Sequence, residues 1–100
     1  MMNTIALVHH RVGDFDAWKK EYDRSASLQA ESGVRGYQVL RSDDSPNDVV
    51  VTHSFDSHKA AKAYFDKPEL KAAMGRAGVK AESVSITYFD EVEAGRRTAK

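Results

Sequence analysis

The side chains best suited to acid–base chemistry are four histidines, at positions 9, 10, 53 and 58. An imidazole titrates near neutral pH and can take up a proton or release one. His9 and His10 are neighbours in a short aliphatic segment typical of a strand, so their side chains point to opposite faces and cannot hold one ion together. We therefore consider His10 and His53 as candidate general bases. The alternative for each is a partly buried histidine that is hydrogen-bonded for structural reasons.

A metal site is not expected. His53 lies on the predicted third strand, which should neighbour the first, so it could approach His9 or His10 depending on the register. Two histidines with a carboxylate would suggest a metal ion, but no carboxylate has an obvious place beside them and no His-x-x-x-His spacing occurs. His58 stands at the predicted start of a helix and is expected to be solvated.

Other side chains could line a substrate pocket. Arg35, Tyr37 and Arg41 share one face of the predicted second strand, and an arginine beside a base could hold a carboxylate or an enolate. Tyr37 and Arg41 are therefore candidate substrate-binding residues, although edge-strand arginines often face solvent or a partner. Large side chains at helical spacing fit core packing well and are also candidates for the pocket wall: Trp18, Tyr64, Phe65 and Met74.

Composition excludes several classes of function. Lys plus Arg and Asp plus Glu number 15 each, so the net charge is zero and broad contact with nucleic acid is not expected. The one basic cluster comprises Arg96, Arg97 and Lys100. Cysteine is absent, which removes disulfides, thiolate nucleophiles and Cys-ligated metals. No phosphate-binding glycine loop, nucleotide fingerprint, signal peptide or membrane span is recognisable. We expect a cytoplasmic protein that uses no cofactor.

Hydrophobic patterns and turn signals predict four strands and two helices. Gly33 should end the first helix, and Asp56-Ser57 should cap a second helix that is bent near Lys67-Pro68. The segment 1–93 should form a single domain, and residues 94–100 a flexible tail. The predicted elements are strands at Thr4–Val12, Val34–Ser42, Val49–Phe55 and Ser83–Val92, a helix at Phe15–Glu31, and a helical region from about His58 to Ala77.

The order β-α-β-β-α-β predicts an α+β domain of the ferredoxin-like type with a four-stranded antiparallel sheet. Right-handed crossovers place the first and third strands at the centre. Two helices can cover only one face of the sheet, and we expect the other face to carry several apolar groups from every strand. Burial of that face against a second copy would give a homodimer. Two sheets that meet in this way should enclose a space with a partly polar lining, which suggests a pocket for a small molecule.

Three segments carry a family resemblance. The run from His10 to Lys19 (HRVGDFDAWK), the hairpin loop Asp43–Asp48 (DDSPND) with the valines that follow it, and the stretch Pro68–Met74 (PELKAAM) are similar to small proteins of the dimeric α+β barrel superfamily. Within it, the chain most resembles the antibiotic-biosynthesis-monooxygenase-like proteins. The likeness extends to about Val92, and His10 matches the histidine that those proteins carry on their first strand.

The resemblance implies a cofactor-independent oxygenase or an isomerase that acts on a small aromatic or polyketide-like molecule. It does not extend to haem degradation. Relatives with that activity carry an asparagine on the first strand, a tryptophan on the third strand and a histidine on the second helix. In this sequence Phe55 stands where that tryptophan would be, and the second helix has no histidine in its middle. Two alternatives to an enzyme stay open, since fold does not imply function. They are a small-ligand-binding protein and a structural dimer without catalytic activity.

Overall fold

The computed structural model describes residues 2–98, which form a four-stranded antiparallel sheet with helices on one face. The strands are β1 (Thr4–Arg11), β2 (Gly36–Arg41), β3 (Asp48–Phe55) and β4 (Ser85–Asp90). The helices are α1 (Phe15–Arg24), α2 (Ala26–Glu31), α3 (His58–Phe65) and α4 (Pro68–Arg76), followed by one 3₁₀ turn at Ala81–Ser83. This is the predicted ferredoxin-like α+β fold.

The strand order is β2-β3-β1-β4, which confirms that the first and third strands are central. Because strand side chains alternate in direction, the register decides which residues share a face. Val8 lies opposite Val51 of β3 and Ile86 of β4. Ala6 lies opposite His53, so His53 and His10 both belong to the face that carries Ala6 and Val8. The helices cover this face, and it holds the core.

The first helical segment differs from the prediction, because it is broken at Ser25 instead of running on to Glu31. The Ser25 hydroxyl donates a hydrogen bond to the backbone carbonyl of Glu21, four residues earlier, at 3.1 Å. Such a bond within a helix competes with the regular backbone pattern and bends the helix. The predicted break near Lys67-Pro68 is confirmed: α3 ends at Phe65, and Pro68 occupies the first turn of α4.

The core consists of buried side chains from the sheet, packed under the helices. Near the start of β1, Phe55 packs with Ala6, Tyr64 and Leu70. Towards the end of β1, a second group packs at the start of α1 and the end of α4: Val12, Trp18, Val49, Val51 and Ala77. Burial of aliphatic and aromatic side chains is the main force that holds the helices on the sheet.

The outer face of the sheet is only partly apolar. Each strand contributes one or two apolar side chains, fewer than we expected, because polar residues such as Gln38, Thr52 and Thr87 share the face. The apolar side chains follow a diagonal stripe, in which Leu40 and Phe89 are 48% and 49% exposed. We call these residues the outer stripe: Leu40, Val50, Leu7, Ile5 and Phe89.

Residues 94–98 form neither helix nor strand, and Ala99 and Lys100 of the predicted tail lie outside the described residues. The predicted boundary of the domain near residue 93 stays a prediction. Over residues 2–98, no helix has the length and apolar character needed to cross a membrane.

Two glycines near the end of α4 should respond to alanine substitution in opposite ways. Gly78 has a φ of +78°, which an alanine adopts only with strain, so we expect Gly78→Ala to lower the free energy of unfolding by about 1 kcal/mol. Gly75 lies in α4 with open space around it, so Gly75→Ala should raise that free energy by about 0.5 kcal/mol. Urea unfolding followed by circular dichroism measures both. Equal effects of the two substitutions would contradict this account of Gly78.

Candidate functional site

A cavity lies between the helix-covered face of the sheet and the helices, within a single chain. Its volume is about 60 Å³ and its lining is mostly apolar. Both central strands contribute to its floor, and residues of all four helices contribute to its walls. The predicted enclosure between two facing sheets requires a second copy and stays a prediction. The cavity of the single chain is lined by Val8, His10, Trp18, Glu21, Tyr22, Ser25, Gln29, Val51, His53, Tyr64, Phe65, Leu70, Ala73, Met74 and Ala77.

His10 stands at one end of this cavity without a hydrogen-bond partner. Its side chain is 3% exposed, and neither Nδ1 nor Nε2 has a partner within residues 2–98. The indole of Trp18 lies 5.6 Å away, centroid to centroid. A buried polar group that makes no hydrogen bond costs about 1–3 kcal/mol of stability. Both ring nitrogens of His10 are therefore buried at the cavity wall with no hydrogen bond to the described residues.

His53 lies towards the other end and is paired with a tyrosine. Its Nε2 is 3.0 Å from the hydroxyl oxygen of Tyr22, while its Nδ1 has no partner in the described part of the chain. If Tyr22 donates to Nε2, the proton of the neutral ring is on Nδ1 and is unused. If Nε2 donates, the hydroxyl proton of Tyr22 is directed elsewhere, and the side chain of Gln29 lies within hydrogen-bonding reach of that hydroxyl. The donor without a partner in the described part of the chain is therefore Nδ1–H of His53, in the tautomer in which Tyr22 donates.

Burial determines the protonation states of these groups. Desolvation lowers the pKa of His53 to about 4. Desolvation also lowers the pKa of His10; the nearby His9 adds to this effect and Asp48 opposes it. Burial raises the pKa of the Tyr22 phenol well above its ordinary range and that of Tyr64 to about 12. At neutral pH the site therefore contains two neutral imidazoles and two protonated phenols.

The two histidines are too far apart to share a metal ion. His10 lies opposite Val49, whereas His53 lies opposite Ala6, an offset of four residues on adjacent strands. That offset corresponds to roughly 13 Å along the sheet. The expectation that His53 could approach His9 or His10 was therefore wrong, because the register places Ala6 and Tyr37 beside it. Among residues 2–98 no cluster of three metal-ligating side chains occurs.

The structure brings most of the predicted site residues together. His10, His53, Trp18, Tyr64, Phe65 and Met74 all line the cavity. Tyr37 and Arg41 do not line it, although both lie on the same face of the sheet. The guanidinium of Arg41 lies over the ring of Phe15, at 4.6 Å, and Tyr37 is 64% exposed on the edge strand. Both residues lie on the edge strand β2, where they contact side chains of α1 (Phe15 and Tyr22) outside the cavity.

Tyr22 is a cavity residue that the candidates from the sequence did not include. It lies on the apolar side of the first helix, and its hydroxyl reaches His53. Gln29, on the same side of the helical segment, is buried beside the cavity. A glutamine on an otherwise apolar face was the available signal, because buried amides need polar surroundings. Glu21 also lines the cavity and pairs with Arg24 and Arg76.

Comparisons with known proteins agree with this architecture. The family model described as antibiotic biosynthesis monooxygenase matches residues 1–76. None of the curated proteins shows significant sequence similarity to this chain.

Solved structures of similar fold cover nearly the whole chain. A candidate antibiotic biosynthesis monooxygenase from Caulobacter crescentus is 25% identical, with a TM-score of 0.74 and 92% of each chain covered. SnoaB, a cofactor-independent oxygenase from Streptomyces nogalater, is 16% identical, with a TM-score of 0.68, and the match covers 98% of this chain and 97% of SnoaB. A candidate monooxygenase from Bordetella bronchiseptica is 11% identical, with a TM-score of 0.79, covering 93% and 100%.

Acid should destabilise the fold through His53. The unfolded chain binds a proton on this side chain below about pH 6.5, whereas the folded chain does so only below about pH 4, so stability falls as the pH falls through that window. Between pH 7 and pH 5 we expect His53 to account for a loss of about 2 kcal/mol in unfolding free energy. Urea unfolding at the two pH values measures this loss. The His53→Gln variant should no longer show this loss of unfolding free energy, and the His58→Gln variant should still show it. If the loss is undiminished in His53→Gln, His53 is not its source.

Proposed function

The chain belongs to the antibiotic biosynthesis monooxygenase family, and from that premise we propose that it is a cofactor-independent oxygenase acting on a small aromatic or polyketide-like molecule. The observation that carries the proposal is the position of His10, a buried imidazole at an aromatic-lined cavity, neither of whose nitrogens has a partner within residues 2–98. The similarity of fold to SnoaB, itself a cofactor-independent oxygenase, supports the same reading.

His10 is the proposed general base. Because it is neutral at pH 7, it can accept a proton from a phenol or from an activated C–H group of the substrate. His53 is the less suitable base, since a pKa of about 4 makes it a weak proton acceptor at neutral pH and Tyr22 already occupies its Nε2. A ligand hydroxyl at His10 would also provide the hydrogen bond that this side chain lacks.

The Tyr22–His53 pair is proposed to bind the oxygen on which negative charge develops. When Tyr22 donates to Nε2, the pair offers Nδ1–H of His53 as a donor without a partner among residues 2–98, and the raised pKa of Tyr22 keeps the phenol protonated. A donor fixed in a low-dielectric cavity stabilises an enolate or phenolate more than the neutral substrate. This role was first assigned to Arg41 or Tyr37, but neither lines the cavity.

Loss of the proton leaves an electron-rich anion that can react with dioxygen directly. The anion forms the new C–O bond, and the proton held by His10 returns to the distal peroxide oxygen. The O–O bond then breaks, and the second C–H proton leaves with the distal OH as water, so that a carbonyl group remains. All four electrons taken up by dioxygen come from the substrate, so the sequence requires no separate reductant. Aromatic walls that exclude water would protect the anion from protonation by solvent.

A binding protein without catalysis is the alternative. The observation that favours it is the cavity volume of about 60 Å³, small beside the roughly 300–1,000 Å³ of typical ligand sites. A protein that only stores or carries a small ligand would use the same cavity and the same hydrogen bonds. The two functions differ in one respect, because only the enzyme consumes oxygen.

Oxygen uptake separates the two functions. With a panel of small phenols, dihydroxyarenes and enolisable aromatic ketones, we expect the wild-type protein to consume oxygen with at least one member. His10→Gln should reduce the rate of oxygen uptake by roughly 10²-fold or more through loss of the base. His58 lies outside the cavity, so His58→Gln should leave that rate unchanged. Binding by calorimetry or NMR without oxygen uptake, in the wild-type protein, would support the binding function and refute the oxygenase.

The outer face of the sheet is the proposed surface of homodimerisation. Helices cover the opposite face, and the outer stripe leaves Leu40 and Phe89 about half exposed. Apolar side chains that continue across four strands are typical of surfaces that bury themselves against another protein. A two-fold copy would bring the same stripe from each subunit into contact.

Charge on the outer stripe should separate the subunits. We expect the wild-type protein to be dimeric at micromolar concentration by size exclusion with light scattering. Phe89→Asp and Leu40→Asp should each shift it towards the monomer, because a carboxylate would be buried without a partner. Val92→Asp is the control, since Val92 lies beyond β4 and is largely exposed. A wild-type monomer, or a dimer unaffected by both substitutions, would show that this face is not the interface.

A further inference from the structure

We infer that Tyr22 is a positioning residue for His53. Its hydroxyl donates a hydrogen bond to Nε2 and so holds the imidazole as the tautomer that carries its proton on Nδ1. The consequence for the reaction rests on the proposed function, in which His53 would offer a donor to the cavity and would not act as a base. The tautomer itself is a property of the protein without any ligand.

The imidazole of His53 is held in one place by the residues around it. The side chain lies on the central strand β3 and is 4% exposed. Three aromatic rings pack around it, with centroid distances of 6.4 Å to Phe55, 5.8 Å to Tyr64 and 6.2 Å to Phe65. Within residues 2–98, Nδ1 has no hydrogen-bond partner, and Nε2 lies 3.0 Å from the hydroxyl oxygen of Tyr22. This one contact therefore determines which nitrogen is protonated.

The phenol is the better donor of the two groups, and the imidazole is the better acceptor. A hydrogen bond strengthens with the acidity of its donor and the basicity of its acceptor. A tyrosine hydroxyl has a pKa of about 10, whereas the N–H of a neutral imidazole is far less acidic. Conversely, an imidazole nitrogen takes up a proton at about pH 6.5, whereas a phenol oxygen is a very weak base. The hydroxyl of Tyr22 should therefore donate to Nε2 of His53, which leaves the ring proton on Nδ1.

Burial keeps this hydrogen bond between two neutral groups. Desolvation raises the pKa of the Tyr22 phenol above its ordinary range and lowers the pKa of His53 to about 4. Transfer of the phenol proton to the imidazole would create two buried charges, which is costly in an apolar site. The proton therefore stays on the oxygen of Tyr22 at neutral pH. What the contact sets is the tautomer of His53, not its charge.

A second polar side chain supports the same direction of donation. Gln29 is 7% exposed, lines the same cavity and lies within hydrogen-bonding reach of the Tyr22 hydroxyl. Burial has the largest effect on the pKa of Tyr22 and raises it, and the contact with Gln29 lowers it, as an N–H donated to the phenol oxygen does. That oxygen has two lone pairs, so it can accept the amide N–H while its own proton goes to His53. Hydrogen bonds in such a chain strengthen one another.

The Nδ1–H form reverses the usual preference of a histidine side chain. A free neutral histidine carries its proton mainly on Nε2, so the fold has to impose the other tautomer. In the proposed reaction, the N–H of His53 would be a donor suited to an oxygen on which negative charge develops. With Nε2 engaged by Tyr22 and Nδ1 protonated, the neutral ring has no free lone pair to accept a proton. The role of base is then left to His10.

Nitrogen NMR of the wild-type protein at pH 7, without ligand, tests the tautomer directly. In a long-range ¹H–¹⁵N correlation spectrum, a protonated ring nitrogen resonates well upfield of an unprotonated one. Nε2 is recognised because it couples strongly to both carbon-bound ring protons. The signals of His53 are those missing from the His53→Gln variant. We expect them to show a protonated Nδ1 and an unprotonated Nε2.

Two matched variants test whether Tyr22 is the cause. Tyr22→Phe removes the donor, so the signals of His53 should shift towards the Nε2–H pattern that free histidine favours. Tyr37→Phe is the control, because Tyr37 lies opposite His53 on β2 and its ring contacts that of Tyr22 at 6.3 Å. It should leave the Nδ1–H pattern unchanged, since the hydrogen bond of His53 in the described part of the chain is to Tyr22. Amide spectra and urea unfolding verify that both variants are folded.

A wild-type His53 that carries its proton on Nε2 would overturn the inference, and this measurement needs no variant. A Nδ1–H pattern that survives in folded Tyr22→Phe would also overturn it, because Tyr22 would then not set the tautomer. None of these spectra involves oxygen or a substrate. A Tyr22-dependent Nδ1–H form in a protein that consumes no oxygen keeps the positioning role and loses the oxygenase. Oxygen uptake by a protein whose His53 is protonated on Nε2 does the reverse.

Discussion

The register between the two central strands is the constraint on which the rest of the structure depends. Side chains on a strand alternate with a period of two, so a slip of one residue would move every side chain of β3 to the other face. With Ala6 opposite His53, both His10 and His53 face the helices, and His9 faces outward, where it pairs with Asp48. The same register places the valines of the core on the helix-covered face. The packing that stabilises the sheet therefore also fixes the positions of the two imidazoles.

The site is held at some cost in stability. Within residues 2–98, three ring nitrogens are buried without partners, and each such group is unfavourable by about 1–3 kcal/mol. Burial also keeps both imidazoles neutral, which is the state required of a proton acceptor. Packing around Phe55, Tyr64 and Val51 offsets that cost. Sites that hold polar groups unpaired until a ligand arrives are a common exception to the rules of a well-packed core.

The two proposed roles, ligand binding and dimerisation, belong to opposite faces of the sheet. The inner face holds the cavity under α1, α3 and α4, while the outer face presents the diagonal stripe proposed to meet a second copy. Because alternate residues of β1 and β3 serve each face, a substitution on one face changes the other only through the shared backbone. The proposed ligand binding and the proposed self-association would therefore respond to different substitutions, in a fold that solved structures of 11–16% sequence identity share.

Local patterns in the sequence determined the elements, their order and the opposite directions of His9 and His10, because strand alternation and turn chemistry act over a few residues. They also identified Pro68 as a helix start and six of the fifteen residues that line the cavity, four of them because large side chains at helical spacing must face the core. The break at Ser25 depended on one hydroxyl–carbonyl bond that propensity does not specify. Only the tertiary structure decided that Tyr22 reaches His53, that Arg41 lies over Phe15, and that four residues of register separate His10 from His53. Those contacts join residues distant in the chain, and the pairing of strands and the docking of helices fix them together.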